Sequence, residues 1–211
     1  MLYLRILMLG CALLTLGGCA IGQTIDYRKA SPELTVRTTA PVQLQVIDQR
    51  PYVLALEKQP TFVGRLRGLY YNPWNVNTES GMPLAADIEQ ALRVALTKAS
   101  VKVAASDGAN AASHGQRLLV VTLREWKMDA YMNARFDFDV TVSVIDEQGT
   151  VLAACNVKNS SPVNNFVGAG AEVLRAVLDA PSITHALSSA ATPSASISLP
   201  AGPTPIAQSV K

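Results

Sequence analysis

Several stretches of the chain alternate between apolar and polar residues, as half-buried β-strands do. Residues 42–47 are apolar at every second position, and residues 133–146 continue the same alternation over a longer span. Residues 150–158 follow a turn at Gly149, which predicts an antiparallel hairpin partner for the longer strand. Residues 117–126 include a run that is apolar on both faces, which predicts a central strand.

Two other stretches repeat apolar residues every three or four positions, as amphipathic helices do. The first covers about 17 residues from a cap at Ser80, with Pro83 in its first turn and Asp87 expected away from the apolar face. That face consists of Leu84, Ile88, Ala91, Leu92, Ala95 and Leu96. A second helix is predicted over residues 167–179, and Ser182 can cap a further short helix.

Weaker patterns complete the predicted fold. Residues 52–57 and 61–69 resemble short strands around a turn, and residues 101–104 predict another. The order of elements predicts an α+β fold: a single domain with a mainly antiparallel sheet and two main helices packed on one face. The other face of the strand over residues 133–146 is polar and is expected to meet water or a partner.

The N-terminal segment has the pattern of a signal peptide. Arg5 precedes an apolar run over residues 6–16, which is too short to span a bilayer permanently. The run ends in Leu16-Gly17-Gly18-Cys19, which resembles the lipobox of bacterial lipoproteins. The resemblance implies that residues 1–18 are removed and that Cys19 carries diacylglycerol and an acyl chain such as palmitate. An ordinary signal peptide with a chance cysteine is the alternative.

Lipidation would anchor an extracytoplasmic domain stably, because it supplies more than one acyl chain. In enteric-type lipoproteins an aspartate after the lipidated cysteine retains the protein in the inner membrane; Ala20 and Ile21 therefore imply the periplasmic face of the outer membrane. The composition then divides the mature chain into a lipidated tether over residues 19–40, an α+β domain over residues 41–187, and a disordered Ala/Ser/Pro-rich tail over residues 188–211.

Charge and cysteine usage narrow the function further. The formal net charge of +2 over 211 residues provides no general field for nucleic acid. With Cys11 removed and Cys19 lipidated, Cys155 stands alone and is predicted to be a small core residue rather than a nucleophile. The two histidines, His114 and His185, lack ligand spacing. The sequence therefore predicts no metal and no cofactor.

One pair of carboxylates has a spacing that catalysis uses. Asp137 and Asp139 lie on the same face of a predicted strand, about 7 Å apart, which is within the range of acid and base carboxylates. A tethered periplasmic hydrolase using this pair is one hypothesis. A solvated polar face is the favoured interpretation, because nothing in the sequence indicates a cleft or a raised pKa, and the protein is predicted not to be an enzyme.

Two further groups are candidates for binding. Arg65 and Arg67 share one face of an extended segment and form either a solvated face or an anion site. Tyr70, Tyr71 and Trp74 lie between turn-forming residues, where aromatic side chains stack on sugars or anchor a partner. Folding back as a lid on the core is the alternative. These three aromatic residues are the predicted partner-binding residues.

The chain resembles the YajG-type family of small bacterial lipoproteins. The matching features are a strand ending in Asp48-Gln49-Arg50, a helix with Leu84, Asp87 and Leu92, and a strand pair around Asp146 and Gly149. With the lipobox, the similarity covers most of residues 16–187. The resemblance implies an envelope location and an α+β fold rather than an activity. The aromatic insertion and the long C-terminal tail depart from the family pattern.

Together these patterns predict a non-enzymatic, membrane-anchored envelope lipoprotein that acts as a binding or assembly accessory module facing the periplasm. Its expected partners are the membrane, through the lipid on Cys19, and an envelope protein, glycan or lipid at the sheet face and the aromatic loop. Nucleic acid is not among them.

Overall fold

The computed structural model describes residues 23–68, 72–104, 108 and 110–189, and these residues form one mixed eight-stranded sheet with helices. The strands are β1 (Thr24–Ile25), β2 (Val42–Asp48), β3 (Phe62–Arg67), β4 (Pro73–Thr78), β5 (Val103–Ala104), β6 (Arg117–Ala130), β7 (Ala134–Ile145) and β8 (Val151–Pro162). The helices are α1 (Pro51–Leu54), α2 (Leu84–Lys98), α3 (Phe166–Leu178) and α4 (Pro181–Ser188), with a 3-10 turn at Tyr27–Lys29. The predicted α+β class is confirmed.

The longest pairings are antiparallel and join β6, β7 and β8 into a meander. The other edge of β6 is shared by two strands. β2 runs parallel to its first half, from Arg117 to Leu123, and β3 runs parallel to its last residues, from Met128 to Ala130. β2 and β3 therefore lie end to end along one strand, and the sheet is interrupted between them. We call this interruption the fork.

The side chain of Arg50 fills the fork. It is fully buried, and its Nε and Nη2 donate to the two oxygens of Asp48 at 2.8 and 2.7 Å. The remaining donors reach the backbone carbonyls of Pro60, Phe62 and Trp126. Burial acts to lower the pKa of Arg50, but the hydrogen bonds with Asp48 raise it. A charged guanidinium therefore supplies the donors that a neighbouring strand would supply elsewhere.

The chain after Arg50 is helical, so the prediction of a strand over residues 52–57 is wrong. α1 begins at Pro51, where the fixed φ of proline favours a helix start. Leu56 has a φ of 59°, which completes the turn. The edge of β6 at this level is already occupied by Arg50, so this segment has no strand to pair with. Its Tyr52 hydroxyl donates to Glu125 of β6 at 2.8 Å instead.

The core lies between the sheet and the helices α2, α3 and α4. All six residues predicted for the apolar face of α2 are buried, so the helical pattern is confirmed. The inward row of β7 is also buried and consists of Phe136, Phe138, Val140, Val142 and Val144. Cys155 is partly buried and packs against this core, as predicted. None of the helices in the described part of the chain has the length and apolar character needed to cross a membrane.

The start of α2 differs from the prediction in two respects. Ser80 does not cap the helix; its hydroxyl donates to Oδ1 of Asp87 at 2.6 Å. Asp87 was expected to face away from the core and is instead buried. Its Oδ2 has no hydrogen-bond partner among the described residues, and burial raises the pKa of this carboxyl.

Residues 23–40 were predicted to belong to a tether, but they pack on the domain. β1 pairs in parallel with β4, and the Tyr27 ring is fully buried, edge-on to Trp126 at 5.4 Å. Ala30 and Val36 are also buried. The segment lacks a periodic pattern because it consists of short irregular pieces that cover the core. The folded domain therefore begins by Thr24. The predicted signal peptide, Cys19, and the chain after Ser189 lie outside the described residues.

Candidate functional site

One end of the sheet brings together Arg65 and Arg67, two of the candidate binding residues, with further polar side chains. β3 runs parallel to β6, so both strands end at the same edge, where β3 leads toward β4 and β6 turns into β7. The side chains gathered there, which we call the sheet-end site, are Arg65, Arg67, Asp129, Tyr131, Asn133 and Arg135. The structure thus joins two predicted residues, Arg65 and Arg67, to four that the sequence did not single out.

Asp129 is the centre of the sheet-end site. Arg65 donates from Nε and Nη2 to its Oδ2 at 2.9 and 2.7 Å, and Arg67 donates from Nη2 to the same oxygen. Asp129 is only 6% exposed, whereas the side chains of Arg65 and Arg67 are 40% and 25% exposed. Burial acts to raise the pKa of Asp129, but the two guanidiniums outweigh it and the pKa is lowered. The carboxylate therefore stays charged.

A small pocket opens beside this carboxylate. Its volume is about 270 Å³, and its lining includes Arg67, Asp129, Tyr131, Asn133, Arg135 and Pro162. Arg135 forms an ion pair with Asp137 at 3.0 Å on the outer side of β7. The pocket is thus bounded by two guanidiniums and polar groups at the sheet edge. The two guanidiniums are the groups in this lining that can bind an anion.

Trp74 lies on the opposite face of the same strand pair. It belongs to β4, so the prediction that it lies in a loop is wrong. Its register partner is Leu66, which packs against the core and alternates with Arg65 and Arg67. The indole covers Gly68, where an added Cβ would lie 2.7 Å from the ring, and 39% of the residue remains exposed. Trp74 is thus fixed at the sheet end while part of its ring faces solvent. Tyr70 and Tyr71 lie outside the described residues.

Asp137 is part of a charged network on the outer face of the sheet. Besides Arg135, it contacts Lys127 at 3.7 Å and accepts a hydrogen bond from Ser160 at 2.6 Å. Lys127 also lies 3.7 Å from Glu125. The carboxylate, whose side chain is 14% exposed, is therefore surrounded by cations and a hydroxyl.

Asp139 has a similar environment. Asn156 donates to its Oδ1 at 2.8 Å, and Lys158 pairs with its Oδ2 at 3.1 Å. Burial acts to raise the pKa of Asp139, but these two partners outweigh it and the pKa is lowered. Asp137 and Asp139 share the wall of an open groove of about 630 Å³ beside α1. A general acid requires a raised pKa, so Asp139 is unsuited to that role.

The histidines stay apart from this site. His114 has a side chain that is 98% exposed and pairs with Glu147 at 2.8 Å, while His185 lies on α4. Within the described ranges, no cluster of three or more His, Cys, Asp or Glu residues could hold a metal ion.

Sequence reasoning missed Asp129 because the predicted strand stopped at Trp126. Its partners Arg65 and Arg67 are 64 and 62 residues away in the chain, so only the parallel register of β3 on β6 brings them together. The alternation of β6 through Met128 and Ala130 is the signal that would have extended the strand and placed Asp129 on its outer face.

No protein-family model matches the chain, and no curated relative matches it either. Among solved structures, it is similar to protein XCC0632 from Xanthomonas campestris, described as DUF330, with 11% identity over 80% of this chain and 93% of that chain and a TM-score of 0.46. It is also similar to the PelC dodecamer from Paraburkholderia phytofirmans, with 13% identity over 71% of this chain and 90% of that chain and a TM-score of 0.36.

A third similar structure is the lipoprotein GNA1162 from Neisseria meningitidis, with 16% identity, 66% coverage of this chain, 96% of that chain and a TM-score of 0.29. The similar structures thus include a bacterial lipoprotein. All three TM-scores lie below 0.5, so no residue role or assembly is transferred from these proteins to this chain.

Proposed function

We propose that this protein is a lipid-anchored envelope lipoprotein that acts by binding rather than by catalysis, at the periplasmic face of the outer membrane. The anchor is supported by the lipobox-like residues Leu16-Gly17-Gly18-Cys19. The outer-membrane location is supported by Ala20 and Ile21, which replace the aspartate that retains enteric-type lipoproteins in the inner membrane.

The position of the first folded residues adds a constraint on this anchor. Only four residue steps separate Cys19 from Gln23, which span at most about 14 Å. Gln23 is already attached to the sheet, because its carbonyl accepts a hydrogen bond from the backbone of Asn77 at 3.3 Å. A lipid on Cys19 would therefore hold the domain against the bilayer rather than at a distance from it.

The observation that carries the binding role is the sheet-end site. Side chains from β3, β6 and β7 meet there around the buried carboxylate of Asp129, beside a pocket that opens to solvent. Trp74 presents part of its ring on the other face of the same edge. Tyr70 and Tyr71, which precede β4 in the sequence, remain predicted partner-binding residues together with Trp74.

The contacts of Asp137 and Asp139, the two carboxylates of the alternative hydrolase hypothesis, support the proposed non-enzymatic character. Asp137 and Asp139 are each engaged by a basic side chain and a polar donor. The lowered pKa of Asp139 favours a permanent carboxylate. These contacts favour a role of the two carboxylates in stabilising the strand surface.

A comparison of the natural chain with a Cys19→Ser variant tests the proposal. Labelled palmitate should enter only the natural chain, which should fractionate with outer membranes, and the variant should lose both properties. In-cell crosslinking and purification should then recover an envelope component only with the lipidated form. Equal membrane association of the two proteins, or no palmitate incorporation, would contradict the proposal.

A further inference from the structure

The charges at the sheet-end site do not balance. Three guanidiniums, from Arg65, Arg67 and Arg135, face two carboxylates, from Asp129 and Asp137. Lys127 and Glu125 extend the network by one charge of each sign and leave the balance unchanged. Counted over these described side chains, the network therefore carries an excess of one positive charge at the edge of the sheet.

The geometry concentrates this excess beside the pocket. Both guanidiniums of β3 reach the same oxygen, Oδ2 of Asp129, so one carboxylate oxygen is shared between two cations. Asp129 is buried, and buried charges are screened by salt less than exposed ones. Arg67 and Arg135 both line the pocket. Nε and Nη2 of Arg135 contact Asp137, and Nη2 of Arg67 contacts Asp129. Guanidiniums in general bind the oxygens of carboxylate and phosphate groups.

The size of the pocket limits the ligand. Its volume of about 270 Å³ lies below the range of about 300–1,000 Å³ that is typical of pockets for drug-sized molecules. A head group or a single acidic sugar fits this space. Asn133 and Tyr131 add polar groups to the lining, and Pro162 adds an apolar wall.

We infer that the sheet-end site binds a singly charged oxyanion, as found in a phosphodiester or a carboxylate. One negative charge neutralises the excess, whereas a doubly charged ligand would reverse it. The inference deepens the proposed function by naming the ligand class of its binding surface. A phospholipid head group is one source, because the lipid on Cys19 would hold the domain close to the bilayer. A soluble acidic sugar is the other.

Calorimetric titration of the lipidated full-length mature protein in a neutral detergent tests the inference. The two probes are dihexanoyl phosphatidylglycerol, which carries a singly charged phosphodiester, and glucuronate, which carries a carboxylate. Dihexanoyl phosphatidylcholine, whose head group has no net charge, is the control ligand. Saturable binding of either anionic probe, and weaker binding of the control, is expected.

Two variants that should change the binding affinity in opposite directions test whether the ligand binds at the sheet-end site. Arg67→Gln removes one charge and one planar donor at the pocket and should weaken binding about tenfold. Asp129→Asn removes the competing carboxylate and should strengthen binding, which a merely structural role of Asp129 would not produce. Arg93→Gln, which breaks an arginine–glutamate pair on α2, is the matched control and should leave binding unchanged. Melting temperatures establish that each variant is folded.

The possible outcomes distinguish the two sources of the oxyanion. They also distinguish failure of the anion site from failure of the membrane anchor. Binding of phosphatidylglycerol alone identifies the head group, and binding of both anions identifies the oxyanion itself. Absence of saturable binding to both anions, or equal affinities for the natural chain and Arg67→Gln, would overturn the inference. Palmitate incorporation and fractionation with Cys19→Ser report on the anchor independently, so failure of the anion site leaves the proposed membrane anchor standing.

Discussion

Arg50 is a fully buried arginine whose side chain fills the fork. Its guanidinium joins the ends of β2 and β3 by donating to Asp48 and to backbone carbonyls of the interrupted sheet. Arginine suits this place because it offers five donors in one rigid plane, which the lysine ammonium does not. The Asp48-Gln49-Arg50 sequence therefore has a structural role at the point where the sheet divides.

Replacement of Arg50 should be among the most damaging single changes. Arg50→Met would leave the Asp48 carboxylate and the carbonyl of Phe62 without their buried donor, and should lower the free energy of unfolding by about 3–5 kcal/mol. Urea denaturation measures the change. Arg93→Met removes an arginine from a pair with Glu89 that is partly exposed and should cost less than about 1 kcal/mol. Similar losses for the two variants would contradict the role assigned to Arg50.

The contributions of Asp87 and Asp139 to folding stability should change with pH in opposite directions. Burial raises the pKa of Asp87, so its contribution to stability is fully present below the unfolded pKa of about 3.9 and is lost as pH rises through the folded value. The pKa of Asp139 is lowered, so its contribution is present above the unfolded pKa and is lost as pH falls through the folded value.

The two asparagine variants test this contrast. Asp87→Asn should be more stable than the natural chain at pH 7, and Asp139→Asn should be less stable. The difference for Asp87→Asn should shrink as the pH is lowered from 7 through the folded pKa of Asp87. The difference for Asp139→Asn should persist down to about pH 4 and shrink only below the unfolded pKa. Chemical denaturation at several pH values measures them, and a common sign for the two variants at pH 7 would refute the assignment.

Among the elements, the contact of β3 with β6 depends on one glycine. Gly64 has a φ of 154°, and an added Cβ would lie 2.0 Å from Cγ of Met128 and 2.3 Å from its carbonyl oxygen. The residue allows β3 to approach the long strand closely. This contact also sets the register that places Arg65 beside Asp129.

Gly64→Ala should therefore destabilise the protein and disturb the sheet-end site together. The steric conflict should cost about 1–3 kcal/mol and lower the melting temperature. Gly81→Ala is the control, since Gly81 also has a positive φ but no atom lies within 4 Å of its added Cβ. A melting temperature that falls no further for Gly64→Ala than for Gly81→Ala would show that the close approach is unimportant.

The N-terminal segment should behave as part of the core. Tyr27 packs on Trp126, and Gly170 of α3 lets the helix approach the same rings. Tyr27→Ala should lower the free energy of unfolding by about 3–5 kcal/mol, as loss of a buried aromatic ring does. Thr35→Ala alters an exposed side chain of the same segment and should have little effect. A small effect of Tyr27→Ala would restore the interpretation of this segment as a tether.

The elements that were predicted correctly are those in which apolar residues repeat with a helical or strand period. The apolar face of α2 and the inward row of β7 follow from helical and strand periods, and both were confirmed. Tyr27 owes its role to contact with Trp126, and Asp129 owes its role to Arg65 and Arg67, which are 64 and 62 residues away. Arg50 bonds mainly to nearby residues but also reaches the carbonyl of Trp126, 76 residues away. Such contacts depend on parallel strand register and on the fork, which no local period encodes.

In the whole molecule, the short distance between Cys19 and the sheet would keep the sheet-end site close to the bilayer. A flexible linker of about 20 Gly and Ser residues inserted after Ile21 adds roughly 25 Å of reach. Palmitate incorporation and membrane fractionation should be unchanged, because the lipobox is intact. Crosslinking of the sheet-end site to phospholipid should fall, because the domain is no longer held at the bilayer. Unchanged lipid crosslinking would show that proximity does not matter.

Site-specific photo-crosslinking in cells that make the lipidated protein tests binding through the sheet end most directly. One variant carries the photoreactive side chain at Met132, which is 85% exposed in the turn beside the sheet-end site, and the other carries it at Val94, which is 41% exposed on α2. We expect a discrete envelope component to be captured from position 132 and not from position 94. The capture from position 132 should be lost with Cys19→Ser. Capture of the same component from both positions, or from position 94 alone, would contradict binding through the sheet end.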